Sequence, residues 1–432
     1  MTFKQVMAAG GPMTLGVIFG LQVLDSVDGS VFSVFAPEIR NSLGVSSSAI
    51  ATIAALAGVM VAFGAVPLGV LADRRRRTTI AGVSTLVWAA STAFFSLSQN
   101  LWQLTVVRIL AGIGKANEGP IQTALLTDTY PATGRGRVLG IHRSGQPVGI
   151  VAGPLVATVF AALIPEEHEP WRWAFGFLAL PALLLGLAAL RLPEPPRGGF
   201  ERRAAHGGGP LREPTTKPLP LLATFGQLKK IRTFYLAMLS LGAFGLSAIT
   251  VPNYLSFILE DHLHQGVTAR GVIITVSALG GLVGAGLGGA YGDRLFSRSP
   301  KASLYVACAA LATLGIGLAV QVYSPNVATF IVVGMITQGM VFAGIVTLSL
   351  VVAAVIPAAF RSTAFAVVSL YLAVVGGLGG AVLVGIAEGI WGVQAAIAVI
   401  APTTSVVAGL LLLRSRRHLL GDMARAAAGV IR

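Results

Sequence analysis

The chain has 432 residues, of which 54% are hydrophobic and 11% are charged, and its mean hydropathy is +0.79. Soluble globular proteins carry about 25% charged residues, so this composition excludes an ordinary soluble enzyme or binding domain. The net charge of +14 suits nucleic acid as a partner, but the basic residues flank apolar segments and form no basic domain. The single cysteine, Cys308, excludes an internal disulfide, and neither a metal nor a cofactor is expected.

Apolar segments long enough to cross a bilayer recur twelve times, since a core of about 30 Å needs about 20 helical residues. A stretch rich in Pro, Gly and charge, 192–232, separates the first six from the last six. The sequence therefore predicts an all-α integral membrane protein of two pseudo-symmetric six-helix bundles, 1–191 and 233–413, with a linker at 192–232 and a tail at 414–432. The predicted spans, numbered 1 to 12, are 12–37, 48–72, 78–98, 101–127, 138–163, 172–191, 233–258, 270–292, 302–322, 326–350, 361–386 and 392–413.

The lysines and arginines predict the orientation. Most of the 31 fall on the side of the linker and of both chain ends, which the positive-inside rule assigns to the cytoplasm of a cell membrane. There they face anionic lipid headgroups, so the lipid bilayer accounts for the positive charge and no nucleic acid is expected.

A short motif supports the internal symmetry. The segment Gly69-Val-Leu-Ala-Asp73-Arg74 follows span 2, and Gly289-Ala-Tyr-Gly-Asp293-Arg294 follows span 8. Such a recurrence indicates a duplicated six-span unit, as in transporters whose substrate site lies near the midplane. An aspartate at a helix end among arginines can pair with them.

Five charged residues lie at mid-membrane depth in the predicted spans, where charge is costly and usually functional. Asp25 and Asp28 share one face of span 1 because they are three residues apart. Arg108 and Lys115 lie on nearly one stripe of span 4, with Glu118 about 80° away. We expect the two spans to face each other across a cavity, with Asp25, Asp28 and Glu118 in proton coupling and Arg108 and Lys115 as charge partners or substrate ligands. A fixed ion pair between two helices is the structural alternative.

The last six spans carry no ionisable residue at mid-membrane depth. Proton coupling is therefore expected in the first half, and substrate selection by a mainly apolar wall is expected in the second. Each polar candidate for the substrate path could instead hydrogen-bond a neighbouring helix; these candidates are Asn117, Gln122, Gln146, Asn253, Tyr254, Gln338 and Tyr371.

Residues 69–77 resemble the loop 2–3 signature of the major facilitator superfamily, Gly-x-Leu-x-Asp-Arg-x-Gly-Arg, with Arg76 at the second glycine position. The segment Arg108-Ile-Leu-Ala-Gly-Ile-Gly114 resembles the second signature of that family. Asp128 stands where the family has the acidic partner of loop 2–3. The resemblance implies the twelve-helix fold, alternating access and a cytoplasmic gate of Gly69, Asp73, Arg74, Arg77, Asp128, Asp293 and Arg294.

Two further segments are similar to branches of this family. Gly145, Gly149, Gly153 and Pro154 in span 5 resemble the signature of antiporters, although a stripe of small residues also serves helix packing. Span 1 from Asp25 resembles that of spinster-type lipid transporters and organic-anion symporters, which implies a proton site at Asp28.

The leading hypothesis is a monomeric secondary transporter that exports an amphipathic, drug-like or lipid-like molecule in exchange for protons. The alternative is a proton-coupled or passive importer of a small metabolite or organic anion, which Lys115 beside Arg108 favours. Enzymatic motifs such as HExxH, GxSxG and a P-loop are missing from the sequence, so an enzyme is not expected.

Overall fold

The computed structural model describes residues 3–131, 135–196, 226, 228–356 and 361–427. Regular structure in these residues is helical throughout, without a strand, and eleven helices are long and apolar enough to cross a membrane. The predicted all-α class is confirmed. The unbroken spans are Pro12–Val34 (span 1), Ser47–Arg74 (2), Arg77–Ser96 (3), Arg135–Leu163 (5), Pro170–Leu190 (6), Val267–Arg298 (8), Pro300–Val322 (9), Val327–Val355 (10) and Val393–Ser415 (12).

Two more spans contain irregular turns. Span 7 consists of Arg232–Ala248 and Pro252–Asp261, and span 11 consists of Arg361–Tyr371, a π-helical turn at Leu372–Leu378, and Gly379–Trp391. Short helices at Phe3–Gly10, Ala36–Leu43 and Leu419–Ala427 flank the spans. Most of the predicted linker, 197–225 and 227, and the end of the tail, 428–432, lie outside the described residues.

Span 4 is not the continuous helix that the sequence predicted at 101–127. It consists of Leu101–Lys115, a π-helical turn at Glu118–Gln122, and Thr123–Thr129, and with it the span count reaches the predicted twelve. The interruption follows from Pro120, which has no backbone N–H and would clash with the carbonyl of Ala116 in a regular helix. The helix widens instead, because the N–H groups of Ile121 and Gln122 both donate to the carbonyl oxygen of Asn117, at 3.0 and 3.3 Å.

Side-chain caps fix where several spans begin. Asn100 accepts a hydrogen bond from the backbone N–H of Gln103 at the start of span 4, and Asn326 accepts one from Thr329 at the start of span 10. Each cap satisfies a backbone donor that the first turn of a helix leaves without a partner. The two caps stand at corresponding ends of spans 4 and 10, as a duplicated six-span unit requires.

Close glycine contacts join corresponding helix pairs in the two halves. Span 5 packs on span 1, where a Cβ at Gly149 would overlap the carbonyl oxygen of Val23 and lie 2.5 Å from Ser26 Cβ. Span 11 packs on span 7 in the same way, because a Cβ at Gly380 would overlap the carbonyl oxygen of Leu246. Small residues let membrane helices approach backbone to backbone, so the duplicated unit repeats its packing as well as its motif.

The described residues form two compact units, Met1–Phe32 with Met60–Pro218 and Ser33–Val59 with Leu219–Arg432. The sequence had placed residues 33–59 in the first bundle. Ion pairs hold that segment inside the second unit. Arg270, buried, pairs with Glu38 and lies 3.4 Å from Glu260, while Arg40 pairs with Glu260 at 3.1 Å. Two backbone carbonyls of span 1 and span 7 also accept hydrogen bonds from serines, Ser33 to Pro252 and Ser256 to Val34.

Gly149→Ala tests the contact between spans 5 and 1. We expect the added methyl to destabilise the protein by about 1–3 kcal/mol, the usual cost of overpacking, and to lower its melting temperature in detergent. Gly140→Ala is the matched control on the same helix, because a Cβ there meets no atom within 4 Å and alanine favours the helix. Equal melting temperatures for the two variants would contradict the contact.

Candidate functional site

The carboxylate of Asp28 lies at the centre of a buried charge cluster. Its Oδ2 accepts hydrogen bonds from Arg108 Nη1 at 3.0 Å and from Lys115 Nζ at 2.7 Å. Lys115 Nζ also lies 2.7 Å from Asp25 Oδ1. The side chain of Asp28 is 3% exposed and that of Asp25 is 30% exposed. Spans 1 and 4 therefore face each other, and one ammonium group is shared by two acids.

The guanidinium of Arg108 is enclosed by three aromatic rings. Its carbon lies 4.0 Å from the ring centroid of Phe32, 4.5 Å from that of Phe95 and 5.3 Å from that of Phe175. Its Nε and Nη2 have no hydrogen-bond partner among the described residues, so the faces of the rings take the place of water around part of the cation. The enclosure holds Arg108 in one position. The sequence had not predicted these rings, because they come from spans 1, 3 and 6 and share no spacing.

Lys115 is held differently. Its ammonium lies 4.9 Å from the ring centroid of Trp88, and its flexible stem leaves the last turn of helix Leu101–Lys115, where the regular part of span 4 ends. A lysine is a compact charge on a flexible stem, whereas an arginine presents a rigid planar fork. Lys115 can thus change its partner by a small movement, while Arg108 cannot.

Glu118 opens the π-helical turn and extends the cluster along span 4. Its electrostatic neighbours are Gln22 and Asp25 of span 1, Lys115 of span 4, and Arg143. The predicted proton-coupling acids thus lie together in one unit. Arg143, on span 5, had not been singled out in the sequence because it follows the turn into span 5 by a few residues and reads as an interfacial charge.

Two predicted lining residues serve the helix instead. Asn117 Nδ2 donates to the carbonyl oxygen of Gly114 at 3.0 Å, and Gln122 Nε2 donates to Asn117 Oδ1 at 2.9 Å. Both side chains are buried. These bonds stabilise the interruption of span 4, and a place for the two residues in the substrate path stays a prediction.

The remaining polar candidates are spread over both units. Gln146 is exposed on span 5, and Gln338 and Tyr371 are half-buried. Asn253 donates to the carbonyl oxygen of Ile249 at 3.2 Å, within the irregular turn of span 7. Tyr254 is fully buried, and its hydroxyl donates to Glu388 Oε2 at 3.2 Å. Tyr254 therefore joins spans 7 and 11, and its place in the substrate path stays a prediction.

A second ionic network joins the ends of spans 3, 4 and 6. Arg77 Nη1 donates to Asp128 Oδ2 at 2.5 Å, Arg77 Nε donates to Glu194 Oε1 at 2.9 Å, and Nη2 donates to the carbonyl oxygen of Pro195 at 2.8 Å. The backbone N–H and hydroxyl of Thr78 donate to Glu194 Oε2 at 3.0 and 3.1 Å. We call these residues the Arg77 network. The resemblance implied Arg77 and Asp128, but Glu194 had been missed; its signal is an acid between two prolines directly after span 6.

The bonds of the Arg77 network change the acidity of Glu194. Burial raises the pKa of this carboxyl, but the hydrogen bonds from Thr78 and from Arg77, with the charge of Arg77, outweigh burial and hold the pKa below its usual value. Glu194 is therefore ionised at neutral pH and keeps its contacts.

The other predicted gate residues are placed as follows. Gly69 approaches the proline of the π-helical turn, since a Cβ there would lie 3.5 Å from Pro120 Cβ. Arg74 and Arg294 are exposed. The side chains of Asp73 and Asp293 lie outside the described part of the structure. In span 5, Gly145, Gly149 and Gly153 all contact span 1, and Pro154 is buried beside them, so this stripe positions the helix that carries Asp25 and Asp28.

Curated relatives resemble the chain at 24–31% identity. A probable 4-methylmuconolactone transporter of Cupriavidus pinatubonensis is 27% identical over 71% of this chain and 69% of its own length. A gentisate transporter of Corynebacterium glutamicum is 28% identical over 42% of this chain and 41% of its own length. Protein spinster homolog 1 of Rattus norvegicus is 29% identical over 56% of this chain and 47% of its own length. The chain spans less than two thirds of the length of the last two.

Solved structures share the fold. A bacterial homolog of the human lysosomal transporter Spinster superposes with a TM-score of 0.77 at 19% identity, over 95% of this chain and 98% of that one. A D-xylose–proton symporter superposes with a TM-score of 0.67 at 17% identity, over 93% of this chain and 96% of that one. The family model of the Major Facilitator Superfamily matches residues 18–380. The chain therefore belongs to the major facilitator superfamily, and it is a secondary membrane transporter and not an enzyme.

Proposed function

We propose that this transporter takes up a small organic carboxylate together with protons, by alternating access. The observation that carries the proposal is the position of Lys115, whose ammonium is 2.7 Å from a carboxylate oxygen of Asp25 and 2.7 Å from one of Asp28. A cation shared by two acids is a receptor for an anion as soon as one of those acids is protonated.

The coupling follows from electrostatics in a medium of low dielectric constant. A proton that binds Asp25 or Asp28 removes one negative charge, and the ammonium of Lys115 then lacks part of its neutralisation, which is costly away from water. A substrate carboxylate restores it. Proton and substrate thus favour each other's binding, and each site raises the affinity of the other by the same factor.

The chemistry of the relatives' substrates agrees with this site. The printed names of two relatives specify gentisate and L-galactonate, and both are carboxylate anions. Export of an amphipathic molecule was the leading sequence-based hypothesis, and it rested on the glycine stripe of span 5. Packing against span 1 accounts for that stripe without reference to a direction of transport, which favours the importer alternative.

The Arg77 network serves the conformational cycle in this proposal. Its bonds join the ends of three spans, so they stabilise one arrangement of those ends and must break where the ends separate. A contact that is present in only one of two conformational states lowers the free energy of that state and so raises its population relative to the other. The proposal places this network, the linker and both chain ends in the cytoplasm of a monomeric carrier in the cell membrane, following the positive-inside rule.

Transport into proteoliposomes tests the proposal. Purified protein is reconstituted, an acidic exterior is imposed, and the uptake of labelled gentisate, galactonate, myo-inositol and a lysolipid is compared. We expect the two carboxylates to accumulate above their external concentration and a protonophore to abolish that accumulation. Movement of the lysolipid without movement of either carboxylate would refute the proposal in favour of a lipid carrier.

Asp28→Asn is expected to abolish accumulation driven by the pH gradient. The amide cannot carry a proton, and it no longer compensates the positive charge of Arg108. Exchange of labelled for unlabelled substrate, which needs no net proton movement, is expected to persist at a reduced rate. The control is Glu167→Gln, whose parent side chain is 76% exposed. A full substrate gradient built by the Asp28 variant would remove Asp28 from the coupling.

Lys115→Gln is expected to raise the KM for carboxylates at least about tenfold, the equivalent of about 1.4 kcal/mol, because it removes the anion receptor. Lys115→Arg keeps the charge and is expected to recover part of the affinity. The KM is measured from initial uptake rates at fixed pH gradient. An unchanged KM in the glutamine variant, with a reduced maximal rate, would assign Lys115 to the helix pair and not to substrate.

Glu194→Gln tests the Arg77 network. The native pKa of Glu194 is depressed, so its ionic contacts contribute stability that is present above about pH 4.5 and is lost as the pH falls through the lower native value. We expect the variant to melt below the wild type by a margin that is constant from pH 6 to 8 and shrinks below pH 4. Turnover should change more than KM. A stability difference that grows on acidification would contradict this reading.

A further inference from the structure

A further group of ion pairs lies where the chain passes from span 1 to span 2. Helix Ala36–Leu43 contributes Glu38 and Arg40, the end of span 7 contributes Glu260, and the first turns of span 8 contribute Arg270. Arg270 Nη2 donates to Glu38 Oε1, and Arg270 Nη1 lies 3.4 Å from Glu260 Oε2. Arg40 Nη2 donates to the same Glu260 oxygen at 3.1 Å. In the proposed orientation these residues lie on the outer side of the membrane.

The acids of this group outnumber the bases. Asp261 follows Glu260 at the end of span 7, and its Oδ2 lies 3.3 Å from Arg40 Nη1. Three carboxylates therefore share two guanidinium groups, which leaves one negative charge in excess. Acids in the last turn of a helix also face the negative end of the helix dipole. We call this set the outer network: Glu38, Arg40, Glu260, Asp261 and Arg270.

The groups around the outer network do not compensate the excess charge. Glu388 of span 11 is a further carboxylate, which accepts a hydrogen bond from the hydroxyl of Tyr254 at 3.2 Å. His262 and His264 follow span 7, and neither forms an ion pair within the described residues. Over the same part of the chain, no cation outside the set lies within ion-pair distance of its three acids. One bound proton would balance the set.

Glu38 is the carboxylate best placed to take up that proton. Its Oε1 accepts the hydrogen bond from Arg270, but its Oε2 is buried and has no hydrogen-bond partner among the described residues. Glu260 Oε1, by contrast, accepts from Asn41 at 3.3 Å, and the side chain of Asp261 is 55% exposed to water. An O–H bond at Glu38 Oε2 removes the excess charge and leaves Oε1 as the acceptor for Arg270. A buried neutral hydroxyl costs less than a buried charge without a partner.

We propose that docking of helix Ala36–Leu43 onto spans 7 and 8 takes up one proton from the outer solution, at Glu38. External acid then favours the docked arrangement, and alkaline solution weakens it. The contacts of the outer network must break where the outer ends of spans 1 and 7 separate, so acid holds the carrier closed toward the outside. On release the proton returns to the outer solution. It is therefore not a transported proton, and the inference takes only the orientation of the chain from the proposed function.

The acidity of Glu38 supports this direction. Burial raises the pKa of the carboxyl above its ordinary value of 4.5, and the charge of Glu260 acts in the same direction. The charge of Arg270, its hydrogen bond and the backbone N–H of Glu38 oppose this rise without outweighing it. A carboxyl with a raised pKa in the docked arrangement binds its proton more tightly there. The proton thus stabilises docking fully below about pH 4.5, and this contribution is lost as the pH rises through the docked value.

Labelling of a cysteine behind the docked helix, in intact cells, tests the proposal. Ser256 is fully buried, and its hydroxyl donates to the carbonyl oxygen of Val34 at 2.8 Å. Ser256→Cys in a Cys308→Ser background should therefore react with a membrane-impermeant maleimide only after release. The rate is divided by that of Glu167→Cys, whose parent side chain is 76% exposed, to correct for thiol ionisation. We expect the corrected rate to fall at least about threefold from external pH 8 to pH 5, since each unit of pH between the two pKa values shifts the docking equilibrium by up to about tenfold.

Glu38→Gln balances the outer network without a proton. In the Ser256→Cys background we expect its labelling to be slow at both pH values and within about twofold of the parent rate at pH 5. Glu166→Gln, which removes an exposed acid between spans 5 and 6, is the matched control and should keep the pH dependence. Thermal melting in detergent at pH 8 is a second measurement. Glu38→Gln should melt at or above the wild type, and Arg270→Gln, which raises the excess to two negative charges, should melt below it.

The outcomes separate this inference from a simple ion-pair lock. Faster labelling of Glu38→Gln than of its parent at pH 8, or a lower melting temperature, would overturn the inference, because the pair with Arg270 would then govern docking. A pH dependence that survives in Glu38→Gln would also overturn it, and so would a parent that ignores pH or stays unlabelled at pH 8. A Glu167→Cys reference that reacts only after lysis would overturn the assignment to external acid. No substrate enters the measurement, so a failure to take up carboxylates would refute the proposed function alone.

Discussion

The pairing of the Asp28 carboxylate with Arg108 and Lys115 determines how the helices of the first unit are placed. A carboxylate that is 3% exposed can stay ionised only where cations and hydrogen bonds replace water, and an unpaired buried charge costs several kcal/mol. Span 4 must therefore present two bases to span 1. The bases are themselves compensated, Arg108 by three aromatic rings and Lys115 by a second acid, Asp25. One buried charge thus dictates contacts on spans 1, 3, 4 and 6.

Close packing at glycines holds in place the helix that carries this charge cluster. Span 5 lies so close to span 1 that no Cβ fits at Gly149 or Gly153, and this closeness holds the helix that carries both aspartates. The second half repeats the arrangement with Gly380 of span 11 against span 7, but there the neighbouring polar groups are Thr250 and a backbone carbonyl. The two halves thus share the close glycine packing, while the polar groups beside it differ.

The sequence predicted the spans from hydropathy and the facing of spans 1 and 4 from helical spacing. It predicted the pairing of Arg77 with Asp128 from a family signature. Each of these signals can be recognised within a short segment of the sequence. It did not predict the widened turn in span 4. Pro120 is visible in the sequence, but proline can kink, break or widen a helix, and the choice depends on Asn117 and Gln122. The aromatic enclosure of Arg108 was equally hidden, since rings from three spans meet only after folding.

The two bases of span 4 differ in kind, and the difference suits the coupled carrier that we propose. Arg108 cannot leave its enclosure without exposing three rings and a buried acid, so its contact with Asp28 is the more rigid of the two. Lys115 lies where the regular helix ends, beside the turn that Pro120 widens, and its ammonium pairs with both Asp25 and Asp28. A proton on Asp25 would change the charge around Lys115 and leave the pair of Arg108 with Asp28 intact. In the proposed function, the fixed base keeps the helices together, and the shared base converts protonation into affinity for an anion.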